Sequence, residues 1–547
     1  MIRKLFSFTK FIVLTSLFAL NASLSADAQG YRNPIIYADV PDMSICRVGD
    51  YYYLISTTMH LMPGAPVMRS SDMQHWETIS YVFPRIDDGP RYDLLDHESA
   101  YGQGQWASSI RYHNGQFYVW FTANGAPGKG FIYTAKDAAG PWTLLSRPKH
   151  MHDGSLFFDD DGKVYVFCET GRLIELNEDL SDQKPGGINK ILFERDEEER
   201  GALLEGSSVI KHNGKYYLCM ISMKWGVPGR VRREVCYRAD NILGPYEKKV
   251  ILETPFERFG GVGQGCIVDG KNGEWYGFIF QDRDGIGRTP CLMPCRWIDD
   301  WPILGDENGK IPHDLSVDYT SMEGIAGSDD FNPEGNEKGN LVCHDGKLGL
   351  YWQWNHNPID DAWSLRERPG FLRLKTARVV DQLFVAPNTL TQRMTAPRCS
   401  GTVKLDVSKM KDGDVAGLSA FQGDCGALQV MKEGKKMRLV MTEQGMVLRR
   451  GSRHLENPKY KEVASVPLKR KQIYLRVDGD FTDGKDMSYY FYSLDGKNWT
   501  AIGNPVPVKF DYTRMFMGTK FAIFNYATKT LGGYVDVDYF HMESFLR

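Results

Sequence analysis

The segment His152-Asp153-Gly154-Ser155-Leu156-Phe157-Phe158-Asp159-Asp160-Asp161-Gly162-Lys163-Val164-Tyr165-Val166-Phe167-Cys168 holds, in order, an acid, a short apolar run, a polar turn ending in glycine and an aromatic run. Two apolar runs around such a turn read as antiparallel strands joined by a hairpin. The arrangement recurs five times. Its aromatic strand begins at Tyr51, Gln116, Lys163, Lys215 and Glu274, at spacings of 65, 47, 52 and 59 residues, and the strand ahead of each turn reads SICRV, SIRY, SLFFD, SVIKH and CIVDG. A repeat of about 50 residues holding several strands is the period of a propeller blade. The expected fold is therefore all-β, with a five-bladed β-propeller over residues 29–325. The edge aromatics Trp76 and Trp142 recur at blade ends and read as packing residues.

Beyond Trp301-Pro302 the repeat stops, and the stretch Gly327-Ser328-Asp329-Asp330-Phe331-Asn332-Pro333-Glu334-Gly335 reads as a linker into a second domain. Alternating runs such as Val403–Val407, Ile473–Val477 and Tyr534–Asp538 predict an antiparallel β-sandwich over residues 326–547. Residues 1–28 combine Arg3, Lys4 and Lys10, an apolar run from Phe11 to Leu20 and Ala26-Asp27-Ala28, the pattern of a cleavable signal peptide. The expected location is periplasmic or secreted, with no membrane insertion.

The 547 residues carry 66 Lys and Arg against 69 Asp and Glu, a net charge of −3, which argues against a nucleic-acid partner. Aromatic residues make up 12% of the chain, flat apolar surface suited to sugars and to β-rich cores alike. The ten cysteines are irregularly spaced, and free thiols are the expectation. Cys291 and Cys295 leave a disulfide open, while zinc there lacks a second ligand pair.

Aligning the innermost strands places Asp42-Met43-Ser44, Ala107-Ser108-Ser109, Asp153-Gly154-Ser155, Glu205-Gly206-Ser207 and Gln264-Gly265-Cys266 in register. Equivalent ends of these strands emerge on one face of the axis, so Asp42, Asp153 and Glu205 should converge. Three acids without matching lysines repel one another, which raises at least one pKa and leaves another group ionised. An acid and a base on either side of a glycosidic bond are the minimal apparatus of glycoside hydrolysis. The competing reading, in which each acid only caps its own turn, becomes weaker when three recur at one position. The run Glu194–Arg200 reads as a solvated loop.

The order Pro41-Asp42-Met43-Ser44, His152 to Asp159, Leu204-Glu205-Gly206-Ser207, then Gly287-Arg288 leading to Trp297 and Trp301-Pro302, resembles glycoside hydrolase family 43. The likeness continues through Trp352 to Pro358, Arg366 to Leu374 and Asn388 to Arg393, which resemble the sandwich of that family's β-xylosidases and arabinofuranosidases. The resemblance implies a concanavalin A-like sandwich and an exo-acting, inverting enzyme. Its substrate would be a plant cell-wall oligosaccharide, from which it removes terminal α-L-arabinofuranose, β-D-xylose or both. It assigns Asp42 as general base, Glu205 as general acid and Asp153 as the group that tunes the acid. Arg288 would reach toward the substrate and also keep Asp153 ionised; Trp106 offers a stacking face, and Gln264 lines the pocket. Many relatives carry His-Gln-Gly where this chain has Gly263-Gln264-Gly265, a histidine often near a bound metal. Its loss argues against an axial calcium. No cofactor is expected to be required, with calcium in the sandwich left open. The alternatives are a sugar-binding propeller without activity and a retaining fructan-cleaving propeller, for which no Asn-Asp-Pro-Asn or Arg-Asp-Pro segment is present.

Overall fold

The computed structural model describes residues 30–125, 129–224, 226, 232–332 and 338–546; the signal peptide expected over residues 1–28 lies outside the described residues. Five four-stranded antiparallel sheets follow one another along the first part of the chain. Their innermost strands are Ser44–Val48, Gly104–His113, Ser155–Phe158, Leu204–His212 and Gly265–Asp269. Each of these touches its two neighbours, and the last returns to the first, which closes a five-bladed ring. The second strand of each blade is the aromatic run of the repeat. Its alternate side chains fill the space between blades: Phe121 stacks on Phe83 of blade 1 at 4.9 Å, and Phe117 meets Tyr53 edge-on at 4.9 Å. Trp76 is buried against Phe278 of blade 5.

Among the described residues, no strand is exchanged between the first and last blades. The extended segment after Tyr31 instead lies along the third strand of blade 5, with the Ile35 N–H donating to the Pro290 carbonyl (2.9 Å) and the Val40 N–H to that of Arg288 (3.0 Å). The Asn33 amide clasps both backbone groups of Leu292, at 2.8 and 2.9 Å. Apolar side chains from blades 1 and 5, among them Ile45, Leu54, Val268 and Leu292, form one core across the seam.

The second domain packs two antiparallel sheets face to face. Val403, Leu405, Leu475, Val477, Ile523, Val537 and Phe540 fill the space between them, as the alternating pattern dictates. Trp352 and Trp354 are buried in that core and Trp363 packs on it, so the three do not form an exposed platform. One edge of the eight-stranded sheet is supplied by the propeller itself: Leu61–Met62, from blade 1, pairs with Gln353–Asn355. All ten cysteines are free thiols. No helix among the described residues is long and apolar enough to cross a membrane.

Candidate active site

At the position shared by the five blades, three residues adopt left-handed backbone: Asp42 (φ 52°), Asp153 (φ 49°) and Gln264 (φ 69°). This costs little for Asp and more for Gln. It turns the chain into the inner strand. In blade 4 the kink falls one residue later, at Gly206 (φ 70°), where a Cβ would lie 2.7 Å from the side chain of Gln264. Glycine here both permits the turn and leaves room for the Gln264 side chain of the neighbouring blade to lie against it. Two residues on, a serine joins each of the first three blades to the next. Ser44 Oγ accepts the Ile110 N–H (3.2 Å), Ser109 Oγ that of Leu156 (3.1 Å) and Ser155 Oγ that of Val209 (3.2 Å). The equivalent Ser207 keeps a buried hydroxyl without a partner. The Asp-x-Ser pattern is thus an inter-blade clasp that leaves the preceding acid free to face the axis.

Asp42 is buried and gripped by Arg288, whose Nη1 donates to both carboxylate oxygens at 2.9 and 3.1 Å. Burial raises the Asp42 pKa, Arg288 opposes the rise, and Asp39 and Glu205 add to it. Arg288 does not reach Asp153, contrary to the expectation that it would keep that group ionised; both its short contacts to a carboxylate are to Asp42. It is fixed by the sandwich as well: Nη2 donates to the Phe516 carbonyl (3.3 Å), and the guanidinium lies 4.6 Å from the Phe516 ring centre. Its backbone N–H donates to Asp39 (2.9 Å), which also accepts from Gly518 N–H (2.9 Å) and from the Lys520 ammonium (3.2 Å). Burial alone would raise Asp39, but Lys520, Arg288 and the two N–H groups hold it below its usual value. Burial pushes Lys520 down to about 8 despite Asp39.

The opposite side of the pocket belongs to blades 2, 3 and 4. Asp153 is buried and accepts the Gly206 N–H at 3.1 Å. Its pKa rises to about 7, through burial first, with Glu205 and Asp42 adding and His152 opposing. His152 Nε2 lies 3.7 Å from Asp153 and 3.8 Å from Glu205. The nearby Glu205 and Asp153 carboxylates lift the imidazole to about 9 against the cost of burial. Trp106 packs between His152 (5.7 Å) and Phe516 of the sandwich (5.6 Å). Gln264 crosses above Gly206, and its backbone N–H donates to Glu234 at 2.8 Å. Burial raises that carboxyl to about 8.

The three acids named from sequence therefore meet at one end of the axis and feel one another's charge. Their mutual repulsion is not unbalanced, as the repeat alone suggested, because Arg288 answers one and His152 the other two. His152 stands inside the quoted motif and went unremarked; Asp39, Glu234 and Lys520 carry no sequence signal of their own. The run Glu194–Arg200 is not wholly solvated: Glu199 is fully buried, with Arg233 at 3.1 Å and Lys248 at 2.6 Å.

Beneath the acids lies an axial cavity of about 20 Å³, lined by residues 42–44, 107–109, 153–155, 206–208, 264 and 265, room for about one water molecule. Arg111 adjoins it. Its guanidinium donates to Ser44 Oγ (3.2 Å), Ser155 Oγ (2.8 Å), Val209 O (3.3 Å) and Ile110 O (2.8 Å), touching the inner strands of four blades. These residues do not fit an axial metal ion: the histidine position is Gly263, which offers no ligand atom, the space is water-sized, and the Arg111 guanidinium stands beside it. Among the described residues, His152, Asp153 and Glu205 form the one close group of such donors, their atoms within 4.8 Å of one another, and His152 itself brings positive charge to it.

Residues 31–302 match the glycosyl hydrolases family 43, and residues 344–543 match the β-xylosidase C-terminal concanavalin A-like domain. A β-xylosidase of Formosa agariphila is 30% identical over 93% of this chain and 90% of its own. A non-reducing end α-L-arabinofuranosidase of Bacteroides ovatus is 31% identical over 74% of this chain and 76% of its own. Among solved structures, a bifunctional GH43-CE protein of Bacteroides eggerthii superposes with a TM-score of 0.85 at 41% identity; the match covers 95% of this chain and 64% of that one.

Proposed function

The chain belongs to glycosyl hydrolase family 43 and is a glycoside hydrolase; from that premise we propose that it removes single terminal α-L-arabinofuranose or β-D-xylose units, or both, from plant hemicellulose oligosaccharides such as arabinoxylan or xyloglucan fragments, with inversion. The observation that carries the reading is the meeting of Asp42, Asp153 and Glu205 at one end of the axis, one acid gripped by a guanidinium and two sharing an imidazole. In this proposal Asp42 is the base. Arg288 favours its ionised form against burial, so it can take a proton from the water that attacks the anomeric carbon. Glu205 donates a proton to the leaving oxygen. Asp153 faces it through the Gly206 N–H and His152, and its charge state sets how readily Glu205 holds that proton. Trp106 and Phe516 supply apolar faces for the sugar ring. Among relatives, the names β-xylosidase and non-reducing end α-L-arabinofuranosidase support the pentose and the terminal mode of attack.

In this reading the chemistry needs no metal, and the mature chain works in the periplasm or outside the cell. Turnover of 4-nitrophenyl α-L-arabinofuranoside and β-D-xyloside, with product anomers followed by proton NMR, tests the whole. The expected first product has the opposite anomeric configuration to the substrate, at a rate that EDTA leaves unchanged. Retention of configuration, or full activity of Glu205→Gln, refutes it.

A further inference from the structure

A cleft of about 740 Å³ lies beside the pocket, between propeller and sandwich. Gln103 on its propeller wall leads directly into Trp106, and Thr513 and Arg514 on its sandwich wall lead into Phe516, the ring that packs on Trp106 and Arg288. These short connections set the cleft next to the Trp106 and Phe516 side of the catalytic pocket, within reach of a substrate that extends beyond its terminal sugar.

Its lining holds five arginines, Arg91, Arg449, Arg450, Arg453 and Arg514, against one acid, Glu98. Glu98 is engaged by His454 at 3.2 Å, Arg514 by Asp424 and Asp511, and Arg449 by Glu456. Among the described residues, the other three guanidiniums make no direct ion pair with a carboxylate, Asp511 acting on Arg453 only at longer range. Arg91 donates to the Gln103 side chain (3.0 Å) and Arg453 to the Thr513 carbonyl (2.8 Å), while Arg450 is exposed. Burial depresses the Arg453 pKa, with Asp511 opposing.

We propose that this cleft binds the leaving-group portion of the substrate and selects one that bears an oxyanion, the carboxylate of a uronic acid unit on the oligosaccharide. The proposal rests on the reading of the neighbouring pocket as a terminal-pentose site. A guanidinium fork matches a carboxylate in geometry and charge, and the polar groups of Gln103, Ser452 and Thr513 stand beside it for sugar hydroxyls. A neutral chain would leave three charges unused. A sulfate ester on the sugar offers the same chemistry from a different source.

The test compares kcat/KM of the full mature enzyme on three oligosaccharides with the same terminal pentose: a neutral one, one carrying glucuronic acid on the adjoining sugar, and one carrying sulfate there. The expected preference for an anionic substrate over the neutral one is about three- to tenfold at low salt, residing in KM. It should shrink at about 1 M salt, where the screening length falls to about 3 Å, and collapse toward one in the Arg91→Ala/Arg450→Ala double variant. A greater preference for the glucuronate than for the sulfate supports the carboxylate; the reverse overturns that assignment in favour of a sulfate site. Equal kcat/KM for all three in the wild type, or a preference that the double variant retains, overturns the proposal. Failure of the wild type on both nitrophenyl pentosides would refute the pocket's reading separately.

Discussion

The two sides of the catalytic pocket are built from different materials. Around Asp42 the structure is shared between domains: Arg288 grips the acid, Phe516 O and the Phe516 ring hold Arg288, and Asp39 joins Arg288, Gly518 and Lys520 into one buried network. Around Glu205 the partners all come from the propeller: His152 between two carboxylates, and the Gly206 N–H on Asp153. The first side is a buried set of opposite charges in direct contact across the domain boundary, and its geometry requires the sandwich. The second is a set of groups whose pKa values lie near neutrality, about 7 for Asp153 and about 9 for His152, so its charge can change during turnover. A base must be held in place with its charge fixed, whereas an acid must regain a proton in every cycle, and the two constructions suit those tasks.

The sharpest break in this comparison is removal of either reacting group. Asp42→Asn and Glu205→Gln should each lower kcat by about 10²–10⁴-fold. For Glu205→Gln the loss should be smaller on substrates whose leaving group needs no proton, such as dinitrophenyl pentosides, and steady-state rates on the two substrate types separate the acid from the base.

Next comes the inter-domain network. Lys520→Met leaves the Asp39 carboxylate buried without its ammonium partner, at a cost of about 3–5 kcal/mol. Urea denaturation should show that loss, together with a fall in kcat, because the same network positions Arg288. His152→Gln, on the other side, should lower the urea midpoint by less, because the imidazole is partly exposed and lies 3.7–3.8 Å from its two carboxylates. Equal destabilisation by both would show that the two sides do not differ in their dependence on the sandwich.

Acid should weaken the shared side as well. His60 and His356 are buried where blade 1 meets the sandwich, their ring centres 4.7 Å apart, and burial pushes His60 down to about 3. Both stay neutral in the fold while the unfolded chain takes up protons below about 6.5. Stability from each is therefore fully present above that pH and falls as pH drops toward the folded value, by about 1.4 kcal/mol per pH unit per histidine. Thermal unfolding between pH 7 and 4 in wild type and His60→Asn should show a shallower slope in the variant.

The smallest expected effect concerns the acid's own tuning. His152 opposes the rise of the Asp153 pKa, its positive charge favouring the ionised form of that carboxylate. His152→Gln should therefore raise the pKa of Asp153 and move the limb of the kcat profile that reports it upward by about one unit. A limb that stays in place would remove His152 from that role.

Much of the fold could be read directly from repetition. Five aromatic strands at nearly even spacing gave the blades, and alignment of their inner strands placed three acids at one level because blade geometry makes local register a global position. What escaped was every feature set by distant chain. Arg288 lies 246 residues from Asp42 and Lys520 lies 481 from Asp39, and no local pattern links them. Glu199 sits in an acidic run that reads as solvated, yet Arg233 and Lys248 from later strands bury it. Arg111 follows a run of inner-strand residues and looks like one outward-facing charge; only closure of the ring reveals that it reaches serines of neighbouring blades.

The pairing of Leu61–Met62 with Gln353–Asn355 has a practical corollary for anyone dissecting the protein. A stub ending near residue 325 would strip a partner from that two-residue ribbon and bare the apolar floor behind His60, while a fragment beginning there would present a raw sheet margin ready to stick to other copies. The halves should accordingly melt in a single calorimetric peak, and separate expression of either should yield precipitate rather than a working module.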